Sequence, residues 1–289
     1  MIDELTNLVR TVGATAAPAV VTIGTRGRGT GFVIAPGKVL TNAHNLRDRT
    51  TQVRFADERT VQGKVIGSDV DGDLVVLEVD TADIAPLEWA AEPPSPGHIV
   101  VAVTAGRHRR RVTWGQITAT EAGFRGPRGR PISGALEHTA PCAAGSSGAP
   151  VLDREGRVLG INTHRLEHGF YLARAADSGL RKVIDAMAAG RTVEPVKLGV
   201  ALAPPYVAAR LRGAVGLAER DGLLVREVAD GGPAAIAGIK KGDLLVRAGD
   251  KDLRVPEDLF AVLGKLRTGD ELVLAVVRGA DELTVTVTF

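Results

Sequence analysis

The segment Cys142-Ala143-Ala144-Gly145-Ser146-Ser147-Gly148-Ala149-Pro150-Val151 sets a serine in a Gly-x-Ser-Gly turn ahead of an apolar strand. A serine hydroxyl attacks only when a base takes its proton and donors hold the oxyanion that forms. Flanking glycines let successive N–H groups turn into one small space. The segment is thus a candidate nucleophile loop and oxyanion hole together, with Ser147 as the nucleophile. An ordinary flexible turn has the same composition, so a base and an orienting acid are needed to separate the two readings.

Of the six histidines, at 44, 98, 108, 138, 164 and 168, His44 ends the strand-like run Val39-Leu40-Thr41-Asn42-Ala43. A strand end entering a turn can hold an imidazole rigidly. Asp69, Asp71 and Asp73 are the candidate acids, and Asp73 abuts the apolar run Leu74-Val75-Val76-Leu77. A carboxylate at the mouth of a buried strand is costly unless hydrogen-bonded, and an imidazole N–H suits it. The order His44, Asp73, Ser147 excludes the α/β-hydrolase order of Ser, acid, His. That class also requires Gly-x-Ser-x-Gly, and Ala149 stands at the last position. The subtilisin order fails as well, and the chymotrypsin-like order fits.

The elements that must position these groups read as short strands. Ala19–Ile23, Thr30–Ile34, Gln52–Phe55, Val61–Ile66 and Leu74–Val79 form one series. Ile99–Val103, Val112–Thr118, Leu136–Thr139, Val151–Leu152 and Val158–Asn162 form a second, after the Pro-rich stretch 91–97. Strands at this spacing predict β-barrels or sandwiches rather than βαβ units, and the two series suggest two barrels. Residues 2–13 predict a short amphipathic helix, and 177–189 a closing helix stopped at Gly190. The expected organisation is an N-terminal helical segment over 1–18, a protease-like domain over 19–190 with barrels at about 19–90 and 97–175, a linker over 191–197, and a small α+β unit over 196–289.

Gly29-Thr30-Gly31-Phe32-Val33-Ile34, Leu40-Thr41-Asn42-Ala43-His44, Asp73-Leu74-Val75-Val76-Leu77, Gly145-Ser146-Ser147-Gly148-Ala149-Pro150 and Gly156-Arg157-Val158-Leu159-Gly160-Ile161-Asn162-Thr163 together resemble the HtrA (DegP-like) serine proteases. The stretch Gly231-Gly232-Pro233-Ala234-Ala235-Ile236-Ala237-Gly238-Ile239-Lys240-Lys241-Gly242-Asp243 resembles a PDZ signature. The fold implied is mainly β, a double β-barrel of chymotrypsin type followed by a small α+β PDZ domain. The resemblance implies His44 as base, Asp73 as orienting acid, Ser147 as nucleophile, and the amides of Gly145, Ser146 and Ser147 as the oxyanion hole. It implies pairing of the strand at Ile161, Asn162 and Thr163 with substrate backbone, and a specificity pocket around His164, Phe170 and Leu172. No acid occurs among Thr163–His164, Phe170, Leu172 and Pro141–Ala144, so small or medium aliphatic P1 residues are expected. Leu198, Gly199 and Val200 would receive a peptide carboxylate, with Leu259, Val262 and Leu263 on the facing helix. Ser146 and Ala149 depart from the family's Asn and Gly, and Pro141–Ala144 departs from its usual loop.

The activity implied is ATP-independent endoproteolysis of unfolded or regulatory proteins, in protein quality control and stress response. A silent or chaperone-like scaffold acting through the PDZ domain is the alternative. Expected partners are such substrates, C-terminal peptides and further copies of the chain, as a trimer by resemblance. No cofactor is implied, and the metal-ligating residue types do not cluster: the one cysteine lies near no pair of histidines. A formal charge of +2 argues against nucleic acid, and Arg107-His108-Arg109-Arg110-Arg111 reads as a solvated turn. Gly24–Gly29 lacks the Lys and following helix of a phosphate loop. One cysteine, a start Met1–Asn7 with two acids and no basic n-region, and no long apolar run predict a cytoplasmic protein without a membrane span, or a periplasmic or extracellular one if a leader has been removed.

Overall fold

The computed structural model describes residues 2–47, 49–106, 109–126, 131–167, 169–192, 196–204, 207, 220–264, 266 and 269–289. The chain forms two compact units, Met1–Val193 and Glu194–Phe289.

In the first unit, β1 (Val20–Ile23), β2 (Gly29–Ala35), β3 (Lys38–Asn42), β4 (Thr50–Arg54), β5 (Thr60–Asp69) and β6 (Leu74–Glu78) close a barrel in the order β1-β2-β3-β6-β5-β4. A second barrel closes in the order β10-β11-β12-β9-β8-β7. Its strands are β7 (Ile99–Ala105), β8 (Arg110–Arg125), β9 (Pro131–His138), β10 (Pro150–Leu152), β11 (Val158–Glu167) and β12 (Phe170–Ala175). Closure pairs most of the strand edges within each barrel. With so few aromatics, Val, Leu, Ile and Ala fill both interiors, while Phe32 and Trp89 meet edge to face at 6.1 Å. The sequence pattern misses β12, a short apolar run interrupted by Arg174.

Helix α1 (Ile2–Ala16) runs past the expected end and buries Val12, Gly13 and Ala16. Gly13 lies on Val112 of β8, where a Cβ would come within 2.8 Å of the valine methyls. Arg110 is not the solvated turn residue expected. Its guanidinium donates to the carbonyls of Ala17 and Val20, and burial lowers its pKa. Arg107 and His108 of that basic run lie outside the described residues. Helix α2 (Ser178–Ala188) is capped by Asp177, which accepts from Leu180 N at 2.7 Å, and stops at Gly190 with φ +83°. Three residues of the expected linker, 193–195, also lie outside the described residues.

The second unit is one sheet, β13 (Val200–Leu202), β14 (Leu223–Val228), β15 (Leu244–Ala248), β17 (Glu271–Arg278) and β18 (Asp281–Thr288), with β16 (Lys251–Asp252) beside β15. Among the described residues, two short helices, α3 (Pro233–Ile236) and α4 (Pro256–Leu263), pack with it. Its core joins Leu198, Val225, Leu245, Leu259 and Leu274. The buried Asp243 carboxylate is held by Arg278 through two 2.8 Å bonds. Among the described residues, no helix is long and apolar enough to cross a membrane.

Candidate active site

β3 ends at Asn42 and the chain tightens into a single 3-10 turn, Ala43–Asn45, that carries His44. β6 begins one residue after Asp73, and β3 pairs with β6 at Asn42↔Leu74. This pairing sets base and acid side by side. His44 Nδ1 lies 2.6 Å from Asp73 Oδ2, and the His44 backbone N–H donates to Asp73 Oδ1 at 3.0 Å. The carboxylate is fully buried, the imidazole one-third exposed. Each Asp73 oxygen thus faces a donor on His44, which fixes the tautomer and leaves Nε2 bare as the base. The Thr163 hydroxyl also donates to Asp73 Oδ2 at 3.4 Å, and Asn42 Nδ2 and Ala43 N donate to the Asp73 carbonyl.

Ser147 sits on the loop before β10, with glycines of positive φ on either side, Gly145 at +88° and Gly148 at +86°. Gly148 is obligatory: a Cβ there would run into the Thr30 carbonyl oxygen. Thr30 and Asn45 of the first barrel, which sequence reasoning did not single out, tether the loop. Thr30 Oγ1 donates to Gly145 O at 2.8 Å, and Thr30 N and Asn45 Nδ2 both donate to Ser147 O at 2.9 Å. Gly29 makes room for Asn45, whose side chain a Cβ would overlap. A small polar residue between two glycines in a buried strand was the available signal for Thr30. Ser147 Oγ donates to Thr163 O at 3.1 Å rather than to His44, so attack requires a turn about its Cα–Cβ bond.

One of the three expected oxyanion donors already has an acceptor. Ser146 N donates to Ala143 O at 3.1 Å, closing a turn, and is therefore occupied. Among the described residues no acceptor is bonded to the N–H of Gly145 or Ser147, and both line a cavity of about 300 Å³. Cys142, Ala143, Ala144, Asn162, Thr163, His164 and Tyr171 share that lining. Leu172 is buried against the core and absent from it, as is Phe170; Tyr171, between them, points into the wall instead because neighbours on a strand face opposite ways. Burial pushes the Cys142 thiol up to about 12, against bonds to Ser146 and Asn162 that pull it down.

Part of the expected substrate strand is already paired within the barrel. Ile161 is fully buried and paired with Pro150 and Arg174, and Asn162 N donates to Ala149 O. β10 stops pairing there, so the edge of β11 open to an added strand begins at Thr163 and runs through His164 and Arg165. The His164 ring stands 6.3 Å from that of His44 and 5.1 Å from Phe124.

In the second unit, Gly199 has φ +79°, and its carbonyl and that of Leu198 accept from Ala229 and Ala234. β13 is the edge strand of its sheet, and Leu259 and Leu263 of α4 are buried in the same core as Leu198. Leu259 and Leu263 therefore serve that core, while Val200 and Val262 remain partly exposed.

Residues 29–161 match the trypsin-like peptidase domain family and residues 159–289 the PDZ domain family. The second match begins inside the second barrel, upstream of the compact unit at Glu194. The protein is therefore of the class that joins a double-barrel, trypsin-like peptidase domain to a PDZ domain. A DegP-like probable periplasmic serine endoprotease of Brucella suis is 30% identical over 90% of this chain and 52% of its own length. The putative serine protease HhoB of Synechocystis is 28% identical over 88% of this chain and 64% of its own. A serine endoprotease structure from Yersinia pestis superposes with a TM-score of 0.73 at 25% identity, covering 97% of this chain and 96% of that one. The chain is thus similar to the DegP-like serine proteases, and it spans about half the length of the Brucella relative.

Proposed function

We propose that this chain is an ATP-independent serine endopeptidase in which Ser147, His44 and Asp73 form the catalytic triad. The observation that carries the reading is the double contact of Asp73 with His44, 2.6 Å to Nδ1 and 3.0 Å to the backbone N–H, beside a serine loop tethered by Thr30 and Asn45. A peptide adds as a strand to β11 from Thr163 onward, presenting its carbonyl to Ser147. His44 Nε2 takes the hydroxyl proton as Oγ attacks, and Asp73 stabilises the imidazolium. Gly145 and Ser147 N–H hold the oxyanion; one such donor contributes about 3 kcal/mol to the transition state. His44 then protonates the leaving amine, and water, activated by the same imidazole, releases the acyl group from Ser147.

The substrates proposed are unfolded or regulatory proteins, as in protein quality control. A cavity of about 300 Å³ with Ala143, Ala144 and Tyr171 on its wall, Arg165 and His164 beside them and no acid among the described residues of its lining, suits small or medium aliphatic P1 residues; a cleavage profile dominated by Arg or Lys would refute that preference. The PDZ unit would take C-terminal peptides at the Leu198–Val200 turn, as the AlgW protease of the same fold was solved with a decapeptide. We propose a homo-oligomer, a trimer, which light scattering on an eluting peak checks. The name of the Brucella relative supports a periplasmic rather than cytoplasmic setting.

The deciding experiment is labelling by a fluorophosphonate. The wild type should label and Ser147→Ala should not. Absence of labelling under all conditions, PDZ peptides included, would favour the silent scaffold, a reading to which the Ser147 bond to Thr163 O lends itself.

A further inference from the structure

Asp73 adopts φ +59°, a left-handed conformation uncommon outside glycine. Such a residue persists only where its surroundings over-determine it. The torsion is set by the peptide that joins Gly72 to Asp73, and both polar atoms of that peptide are held. Asp73 N donates to Val70 O at 3.2 Å. The Gly72 carbonyl accepts from Arg174 Nη1 at 2.6 Å. The same Nη1 lies 3.7 Å from Asp69 Oδ2, and Asp69 Oδ1 accepts from Gly72 N at 2.8 Å. One guanidinium therefore grips both ends of the turn 69–73. A Cβ at residue 72 would overlap Asp69 and Arg174, so the grip leaves room for glycine alone.

Arg174 belongs to β12 of the second barrel, opposite Ile161 and Ala135, while the turn it holds belongs to the first. Its side chain is only 17% exposed. Burial lowers its pKa, and Asp69, then Asp177 and Asp73, act against that loss. Asp177 is already the cap of α2. A buried cation is costly unless paired and hydrogen-bonded, so this arrangement differs from an exposed ion pair. Asp73 itself makes no bond to Arg174; the effect on the carboxylate passes through the peptide plane.

We propose that Arg174 is a positioning residue for the triad: by holding the Gly72 carbonyl across the barrel interface, it fixes the torsion at Asp73 and so the aim of its carboxylate at His44. The proposal rests on the proteolytic reading for its rate effect, but its geometric part does not. In the full chain, Arg174→Met removes donor and charge, whereas Arg174→Lys returns a cation able to donate to Gly72 O. Two measurements are made on each. One is the downfield proton resonance of the short His44 Nδ1–H···Asp73 bond, which is read without substrate. The other is fluorophosphonate labelling as a function of probe concentration. Displacements well under an ångström at a triad are costly, so Arg174→Met should slow labelling at saturation by at least about tenfold, with the half-saturating concentration within about twofold. Its resonance should broaden or vanish, and Arg174→Lys should restore much of both. A folded Arg174→Met chain with wild-type resonance and rate overturns the proposal, as does a folded lysine variant as impaired as the methionine one. If the methionine variant does not fold, Arg174→Gln is read by the same criteria. A wild type that fails to label but shows the resonance, lost in the variants, would refute the proteolytic reading and leave the positioning role standing.

Discussion

Acid should destabilise the barrels through one buried histidine outside the proposed triad. His138 in β9 is fully buried, stacked on Tyr171 at 5.7 Å, with Nε2 3.3 Å from Asn162 Oδ1. Asn162 Nδ2 donates to Ser146 O, so its carbonyl faces the imidazole and Nε2 carries the proton. Nδ1 has no hydrogen-bond partner among the described residues. Desolvation drops the His138 pKa to about 4, opposed in part by the Asn162 bond. In the unfolded chain the value returns to about 6.5. Between these values the unfolded chain binds a proton that the folded chain does not, so stability falls as pH falls. The stabilisation is intact above the unfolded pKa. It declines by about 2 kcal/mol between pH 7.5 and 5, and by about 3 kcal/mol at pH 4, at 1.36 kcal/mol per unit. Urea unfolding followed by tryptophan fluorescence isolates the effect, because Trp89 and Trp114, the only two tryptophans, both lie in the barrel unit. Other acid-sensitive groups contribute equally to wild type and to His138→Gln, so the difference between their pH slopes belongs to His138. A His138→Gln chain that loses as much stability from pH 7.5 to 5 as the wild type would refute the reasoning.

Thr30→Val removes the hydroxyl that donates to Gly145 O and accepts from Ala105 N. Leaving those groups unpaired should cost about 2 kcal/mol in urea unfolding and slow fluorophosphonate labelling of Ser147. Gly148→Ala forces a side chain into a left-handed position and against Thr30 O. It should lower stability by more than about 2 kcal/mol and abolish labelling; a stable, labelled variant would contradict the loop geometry. Cys142, with its thiol near 12, should react with iodoacetamide at pH 8 about a thousandfold more slowly than free cysteine, as mass spectrometry can follow.

The grouping proposed as the triad was legible because each member carries a local mark: a glycine-flanked serine, a histidine at a strand end, an aspartate at the mouth of an apolar run. The barrels were legible from strand spacing, and the helix ends from Asp177 and Gly190. The lining of the cavity beside Ser147 was not. Ile161 and Leu172 are apolar residues in the right strands, but strand alternation and pairing turn them into the core, bringing Tyr171 to the pocket instead. Ser146 was a reasonable oxyanion donor until the turn to Ala143 took its N–H.

Residue types and order alone determined the chemistry available to this chain, since a serine, an imidazole and a carboxylate with glycines at the turn imply acyl transfer wherever they meet. Only the closed barrels decided whether and how they meet. Asp73 and His44 come together through the β3–β6 register, Ser147 through bonds from Thr30 and Asn45 more than a hundred residues away in sequence, and the Asp73 turn through Arg174 of the opposite barrel. Such contacts leave no periodic trace, because a side chain reaching across an interface answers to geometry rather than to its sequence neighbours.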